Sequence, residues 1–98
     1  MSKRRVVITG LGIISPVGNT VEQAWSNILA GKSGISRISR FDPSGFSSQI
    51  AGEVKGFDVT EYISAKEARR MDIFIHYGLA AGVQAIKDSG IVVTPENA

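Results

Sequence analysis

VVITGLGIISPVGN, residues 6–19, decides how the fold of this 98-residue chain is interpreted. Residues 6–8 are β-branched and uncharged, which is typical of a strand buried on both faces of a parallel sheet. The run leads directly into Gly10 and Gly12. A buried strand followed by a glycine loop favours an α/β fold, and it raises the question of whether the loop holds a phosphate.

A dinucleotide-binding loop needs the spacing G-x-G-x-x-G, a helix that starts inside the motif, and a later acidic residue for the ribose. Here Ser15 occupies the third glycine position, and Pro16 follows it. The next helix starts no earlier than about Thr20, while Glu22 comes too early for the ribose and Asp42 follows a turn-rich loop. We therefore interpret the glycines as sites of close backbone packing, with a nicotinamide-dependent oxidoreductase as an alternative.

The first predicted helix follows this loop. Thr20 and Gln23 have the capping-box spacing, and Gly31 is placed to end the helix in a left-handed conformation. Residues between them repeat at helical spacing and predict a single apolar stripe that includes the tryptophan as a core residue: Val21, Ala24, Trp25, Ile28 and Leu29.

A second helical region is predicted after another capping box, Ser64 with Glu67. We expect it to run to about Asp88, to stop at Gly90, and to break near residues 70–72 because an unbroken helix would be unusually long. From Ile73 to Ile86 it is apolar almost all round, and its Gly78-x-x-x-Gly82 spacing predicts close packing on a neighbour. A chain this short offers little to surround such a helix, so we expect a remainder outside these residues.

Between the helices, residues 32–49 are rich in Ser and Gly and predict a long connection with a tight turn at residues 42–45. Because connections of this length are uncommon in compact domains, part of it is expected to pack or to function. Residues 49–54 predict a short strand, which Gly52 weakens.

Composition excludes several classes of function. With 43% hydrophobic and 20% charged residues the chain is typical of a soluble globular protein, and the lack of cysteine removes disulfides and thiolate chemistry from it. Eleven basic and nine acidic residues give a net charge of +2, too small to indicate nucleic acid. The basic residues 3–5 precede an apolar run that Thr9 and the glycines interrupt, so we expect neither a signal peptide nor a membrane span, but a cytoplasmic protein.

Three basic residues follow the second cap at i, i+3 and i+4 spacing: Lys66, Arg69 and Arg70. On one helix these would share a face near the positive end of the helix dipole, where cations are mildly unfavourable. Their placement indicates an anionic partner that neutralises them. The alternative is a solvated helix face that Glu67 partly neutralises.

Four stretches, read together, resemble one family: VVITGLGIISPVGNTVEQAW, KSGIS, RFDPS and ISAKEARRMDIFIHYGLAAGVQAIKDSG. They are similar to the N-terminus of the β-ketoacyl-acyl carrier protein synthases, in particular the type II-like enzymes of bacterial fatty acid elongation. The resemblance implies a homodimer with a thiolase-like fold layered α-β-α-β-α. Residues 1–98 would then be an incomplete part of the N-terminal domain.

The resemblance also implies a reaction, the decarboxylative Claisen condensation of an acyl thioester with malonyl-acyl carrier protein, without metal or other cofactor. The family's cysteine nucleophile and two histidines come after the region matched by residue 98, so we assign no catalytic residue here and expect the chain alone to be inactive. His76, the only histidine, is interpreted as a hydrogen-bonding structural residue.

The family places a basic patch for docking the acidic acyl carrier protein at the positions of Lys66, Arg69 and Arg70. A carrier-protein-binding relative without catalytic activity is the second hypothesis. It differs from the enzyme in lacking the downstream cysteine.

Overall fold

The computed structural model describes residues 3–98 as a mixture of helix and strand. Its elements are α1 (Val21–Leu29), β1 (Ile35–Arg37), β2 (Ile50–Gly52), a 3₁₀ helix (Val59–Glu61), α2 (Ala65–Ala68) and α3 (Ile73–Ser89). This content agrees with the predicted α/β class at that coarse level. The one sheet within the described residues is the antiparallel pair β1–β2, so they do not by themselves form a parallel layered sheet.

Both predicted N-caps form, but within residues 3–98 neither makes the reciprocal side-chain bond to the cap N–H that completes a capping box. The Gln23 N–H donates to Thr20 Oγ1 at 3.1 Å, and the Gln23 side chain accepts from the Asn19 N–H at 2.9 Å. The Glu67 N–H likewise donates to Ser64 Oγ at 3.2 Å. These bonds satisfy N–H groups that have no partner inside a helix, which is why local sequence places the helix starts well.

The predicted helix ends and the predicted break are also confirmed. Gly31 and Gly90 have φ of 71° and 70°, in the left-handed region that ends helices at glycine. The second helical region divides into α2 and α3, because the backbone at Asp72 is extended (φ −70°, ψ 157°). Asp72 then serves as the N-cap residue of α3.

The long connection forms a hairpin that the sequence showed only in part. β2 lies within the predicted strand at residues 49–54, whereas β1 falls in a segment predicted as loop. Ile35 is opposite Gly52, and Arg37 is opposite Ile50. The predicted turn lies one residue further on, with the Phe46 N–H donating to the carbonyl of Pro43 at 2.9 Å.

The prediction that residues 6–8 form a buried strand is wrong for the described structure. Val6, Val7 and Ile8 are 86%, 71% and 82% exposed, and no strand is formed there. A strand buried on both faces needs partners at its edges and layers on its faces. The described residues supply neither. Trp25, predicted in the core, is also 58% exposed for lack of a covering layer.

The described residues enclose little core. Their buried hydrophobic residues are Ala24 and Ala80, and the accessible surface is 7830 Å², against roughly 5400 Å² for a compact protein of this mass. The radius of gyration is 17.5 Å, where about 13 Å is usual for a domain of this size. The faces of α1 and α3 predicted to be apolar are present but largely open. Among residues 3–98, no helix has both the length and the hydropathy to cross a bilayer.

Candidate functional site

We call residues 10–19 the glycine loop. Contacts with α3 occupy it. The Leu11 N–H donates to Asp88 Oδ2 at 2.9 Å, and the Ile13 N–H donates to Gln84 Oε1 at 3.0 Å. In a phosphate-binding loop, N–H groups of this kind would point at the ligand. Here two of them are already bonded to side chains of the same fold.

Close packing explains the two glycines themselves. A Cβ on Gly10 would overlap the carbonyl oxygen of Ala85, and one on Gly12 would overlap the carbonyl oxygen of Ala81. The loop backbone therefore lies directly on the backbone of α3, as the close-packing interpretation predicted. The first turn of α1, where a pyrophosphate would bind, is capped by Thr20. This geometry contradicts the dinucleotide-binding alternative.

The basic residues predicted as a docking site lie together in one short segment. Lys66 is in α2, Arg69 is its C-cap residue, and Arg70 directly follows. All three side chains are exposed, and within residues 3–98 none of them forms a salt bridge. We call Lys66, Arg69 and Arg70 the basic segment. It presents three cations to solvent.

The basic segment does not lie near the N-terminus of one long helix, as the sequence predicted, because α2 ends at Ala68. Arg69 and Arg70 follow the negative, C-terminal end of α2 and precede the positive, N-terminal end of α3 at Ile73, so the two helix dipoles act on them with opposite sign. The position of the segment relative to the helix dipoles therefore does not indicate an anionic partner. Its exposure and its lack of ion pairs within the described residues are the features that remain.

His76 has the structural role that the sequence predicted. Its Nε2 lies 2.8 Å from the carbonyl oxygen of Ala68, and the side chain is half-buried. The bond joins the first turn of α3 to the last residue of α2. Within residues 3–98, no group of three or more His, Cys, Asp and Glu side chains is arranged to hold a metal ion.

A cluster of one arginine and three aromatic residues was missed from the sequence. Phe57 packs edge-on against Tyr77 with ring centroids 5.3 Å apart, and it stacks on Tyr62 at 6.2 Å. Arg40 donates to the Tyr77 hydroxyl at 2.6 Å, and this bond raises the pKa of the guanidinium. The cluster joins the hairpin to α3. No spacing rule connects residues so far apart in the chain.

Comparisons with known proteins identify the family. The profile of the family described as "Beta-ketoacyl synthase, N-terminal domain" matches residues 3–98. The 3-oxoacyl-[acyl-carrier-protein] synthase 2 of Vibrio cholerae serotype O1 is 61% identical over 98 residues, which are 100% of this chain and 24% of that protein. The synthase of the same name from Synechocystis is 46% identical over 98 residues, with the same coverage of both chains.

A solved structure agrees with these relatives. The chain aligns with a structure titled "The ishigamide ketosynthase/chain length factor" at a TM-score of 0.81 and 36% identity, covering 98% of this chain and 23% of the other. The chain thus spans about a quarter of the length of the relatives it matches. Because the family profile covers nearly every residue and the structural likeness extends over the same length, the chain belongs to the β-ketoacyl synthase family and represents part of its N-terminal domain.

Proposed function

We propose that the protein carrying this chain is a 3-oxoacyl-[acyl-carrier-protein] synthase of fatty acid biosynthesis. The observation that carries the proposal is the 61% identity over all 98 residues to synthases of that name from two Vibrio species. In this proposal the chain is an incomplete part of the N-terminal domain of a cytoplasmic homodimer. The complete fold is layered α-β-α-β-α and covers the open apolar faces of α1 and α3.

The proposed reaction is a condensation in two stages. A cysteine thiolate outside these residues first takes the acyl group from an acyl-carrier thioester and releases the carrier thiol. Malonyl-carrier protein then loses CO₂, and the resulting carbanion attacks the enzyme thioester. A carbon–carbon bond forms, the carbon–sulfur bond to the cysteine breaks, and the product is a 3-oxoacyl-carrier protein. Two histidines outside these residues would assist decarboxylation and stabilise the oxyanion.

The basic segment is the contribution we propose for this chain. Acyl carrier proteins are strongly acidic, and Lys66, Arg69 and Arg70 present three exposed cations without ion-pair partners among residues 3–98. Charge complementarity of this kind raises the association rate and sets orientation more than it raises affinity. The segment would thus steer carrier-linked substrates to the enzyme.

Charge reversal in the full-length protein tests docking. We expect R69E/R70E to weaken binding of acyl carrier protein about tenfold at low ionic strength, with the difference shrinking as salt screens the charges. The control is R4E/K32E, which changes the net charge equally at two exposed sites outside the segment. Equal carrier affinities for R69E/R70E and the control at low salt would rule out docking at the basic segment.

A carrier-binding relative without the nucleophile is the second candidate, since these 98 residues contain no cysteine. Incubating the full-length protein with an acyl-carrier thioester distinguishes the two. A mass increase of one acyl group on a cysteine, followed by CO₂ release on adding malonyl-carrier protein, supports the enzyme. Carrier binding without either event supports the binding protein.

A further inference from the structure

We infer that His76 is a positioning residue for the basic segment: its ring fixes the connection between α2 and α3, and thereby the positions of Arg69 and Arg70. The inference rests on the proposed function, because it concerns the same docking surface. His76 itself is half-buried and is not proposed to touch the carrier protein.

The geometry of the hydrogen bond carries the inference. The Nε2 of His76 lies 2.8 Å from the carbonyl oxygen of Ala68, the last residue of α2. A carbonyl oxygen can only accept, so Nε2 carries the proton and donates. The bond closes a loop of chain that begins and ends at these two residues. Arg69 and Arg70 lie inside it.

Backbone hydrogen bonds hold the two ends of this connection separately: the Met71 N–H donates to the Ala68 carbonyl at 3.3 Å, and the Asp72 carbonyl accepts from the Ile75 N–H at 3.0 Å. α2 has four residues, too short to be stable alone, and Asp72 makes no side-chain capping bond at the start of α3. Local backbone bonds do shape the connection, such as the Arg70 N–H to the Glu67 carbonyl at 3.0 Å. Each of these backbone bonds lies at one end of the connection, and none of them joins α2 to α3. Within residues 3–98, the His76 side chain provides the side-chain hydrogen bond that joins α3 to α2.

Fixing the backbone matters for docking because arginine side chains are flexible. A partner that binds them must order both the side chains and any mobile backbone, and that ordering opposes binding. When the connection is already fixed, only the side chains remain to be ordered. Loss of the His76 bond should therefore weaken carrier binding without removing any charge.

Two neutral amides of different reach provide the test in the full-length protein. The amide nitrogen of glutamine extends about as far from the backbone as Nε2, whereas that of asparagine falls short. We expect H76Q to keep wild-type affinity for acyl carrier protein and H76N to bind about three- to tenfold more weakly. In the condensation assay, the H76N defect should fall on KM for the carrier-linked substrate and not on kcat.

A second measurement keeps the inference testable if H76N folds poorly. Amide hydrogen exchange at residues 69–72 should be faster in H76N than in H76Q. Equal exchange and equal carrier affinity in the two variants would overturn the role of His76. If R69E/R70E weakens binding but H76N does not, only this inference fails. If R69E/R70E has no effect, docking at the basic segment fails, and this role of His76 fails with it.

Discussion

The side-chain carbonyl of Gln84 accepts a hydrogen bond at 3.0 Å from the backbone N–H of Ile13, 71 residues earlier in the chain. Its Nε2 donates to the carbonyl of Asn19 at 2.6 Å and to the hydroxyl of Tyr62 at 2.9 Å. One α3 side chain thus holds the glycine loop at two points and also holds the end of the 3₁₀ helix. The packing of the loop depends on this amide as well as on the glycines.

Replacing Gln84 tests that dependence. We predict that Gln84→Met lowers the free energy of unfolding of the full-length protein by about 1–3 kcal/mol, because partly buried donors and acceptors lose their partners. Urea denaturation measures the change. The second variant of a double-mutant cycle is Tyr62→Phe, which removes one bond only. The losses in unfolding free energy of the two single variants should sum to more than the loss in the double variant. Strict additivity would mean that the two side chains do not interact.

The contact between Gly12 and the backbone of α3 provides a second prediction about stability. A Cβ at Gly12 would overlap the carbonyl oxygen of Ala81 and come within 2.8 Å of the Gln84 Cβ. Because backbone atoms cannot yield as a side chain does, Gly12→Ala should lower the thermal midpoint and cost about 3 kcal/mol, the upper end of usual overpacking costs. Gly45→Ala is the matched control, since apart from its chain neighbours no atom of residues 3–98 lies within 4 Å of its Cβ position. Similar midpoints for the two variants would refute the close contact.

Features set by neighbouring residues were predictable from the sequence. The caps at Thr20 and Ser64 and the glycine stop at Gly90 each depend on chemistry within a few residues, and each is observed. The division between α2 and α3 was also predicted, from helix length alone. Because of the same division, the basic segment lies between two helices and not at the N-terminus of one. A boundary known only approximately does not settle which end of a helix a charge lies near.

Features set by distant residues were not predictable. The bonds from Gln84 and the contact between Arg40 and Tyr77 join segments that have no periodic relation. β1 has three residues and exists through its pairing with β2. Residues 6–8 have the composition of a buried strand, but burial requires neighbours, and the described residues do not provide them. Local pattern shows what a segment can form, whereas packing decides what it does form.

Glu53 provides a prediction about pH. Its pKa is lowered by hydrogen bonds from the Ser39 hydroxyl (2.8 Å) and backbone N–H (3.0 Å), and further by the Arg40 N–H. A carboxyl whose folded-state pKa is lowered stabilises the fold above its unfolded-state pKa and loses that effect as pH falls through the folded value. We therefore expect Glu53→Gln to have a lower thermal midpoint than wild type at neutral pH. This difference in thermal midpoint between Glu53→Gln and wild type should disappear in acid.

Glu61→Gln is the control for removing one surface charge, because Glu61 is exposed. Its midpoint at neutral pH should lie close to that of wild type. A gap between Glu53→Gln and wild type that stays constant with pH would mean that the loss comes from packing and not from the charged carboxylate.

Gly78 tests whether the open side of α3 is covered in the complete protein. A Cβ on Gly78 or Gly82 meets no atom of residues 3–98 within 4 Å, so the predicted neighbour is not among them, and Phe74 nearby is 68% exposed. On a helix face that remains in water, Gly→Ala stabilises by about 0.5–1 kcal/mol. We predict that Gly78→Ala instead destabilises the full-length protein by about 1–3 kcal/mol, because a covering layer would pack against the missing Cβ. Thermal unfolding of Gly78→Ala, measured together with Gly45→Ala, distinguishes a covered face from one exposed to water. A stabilised variant would show that this face of α3 is exposed to water in the whole protein.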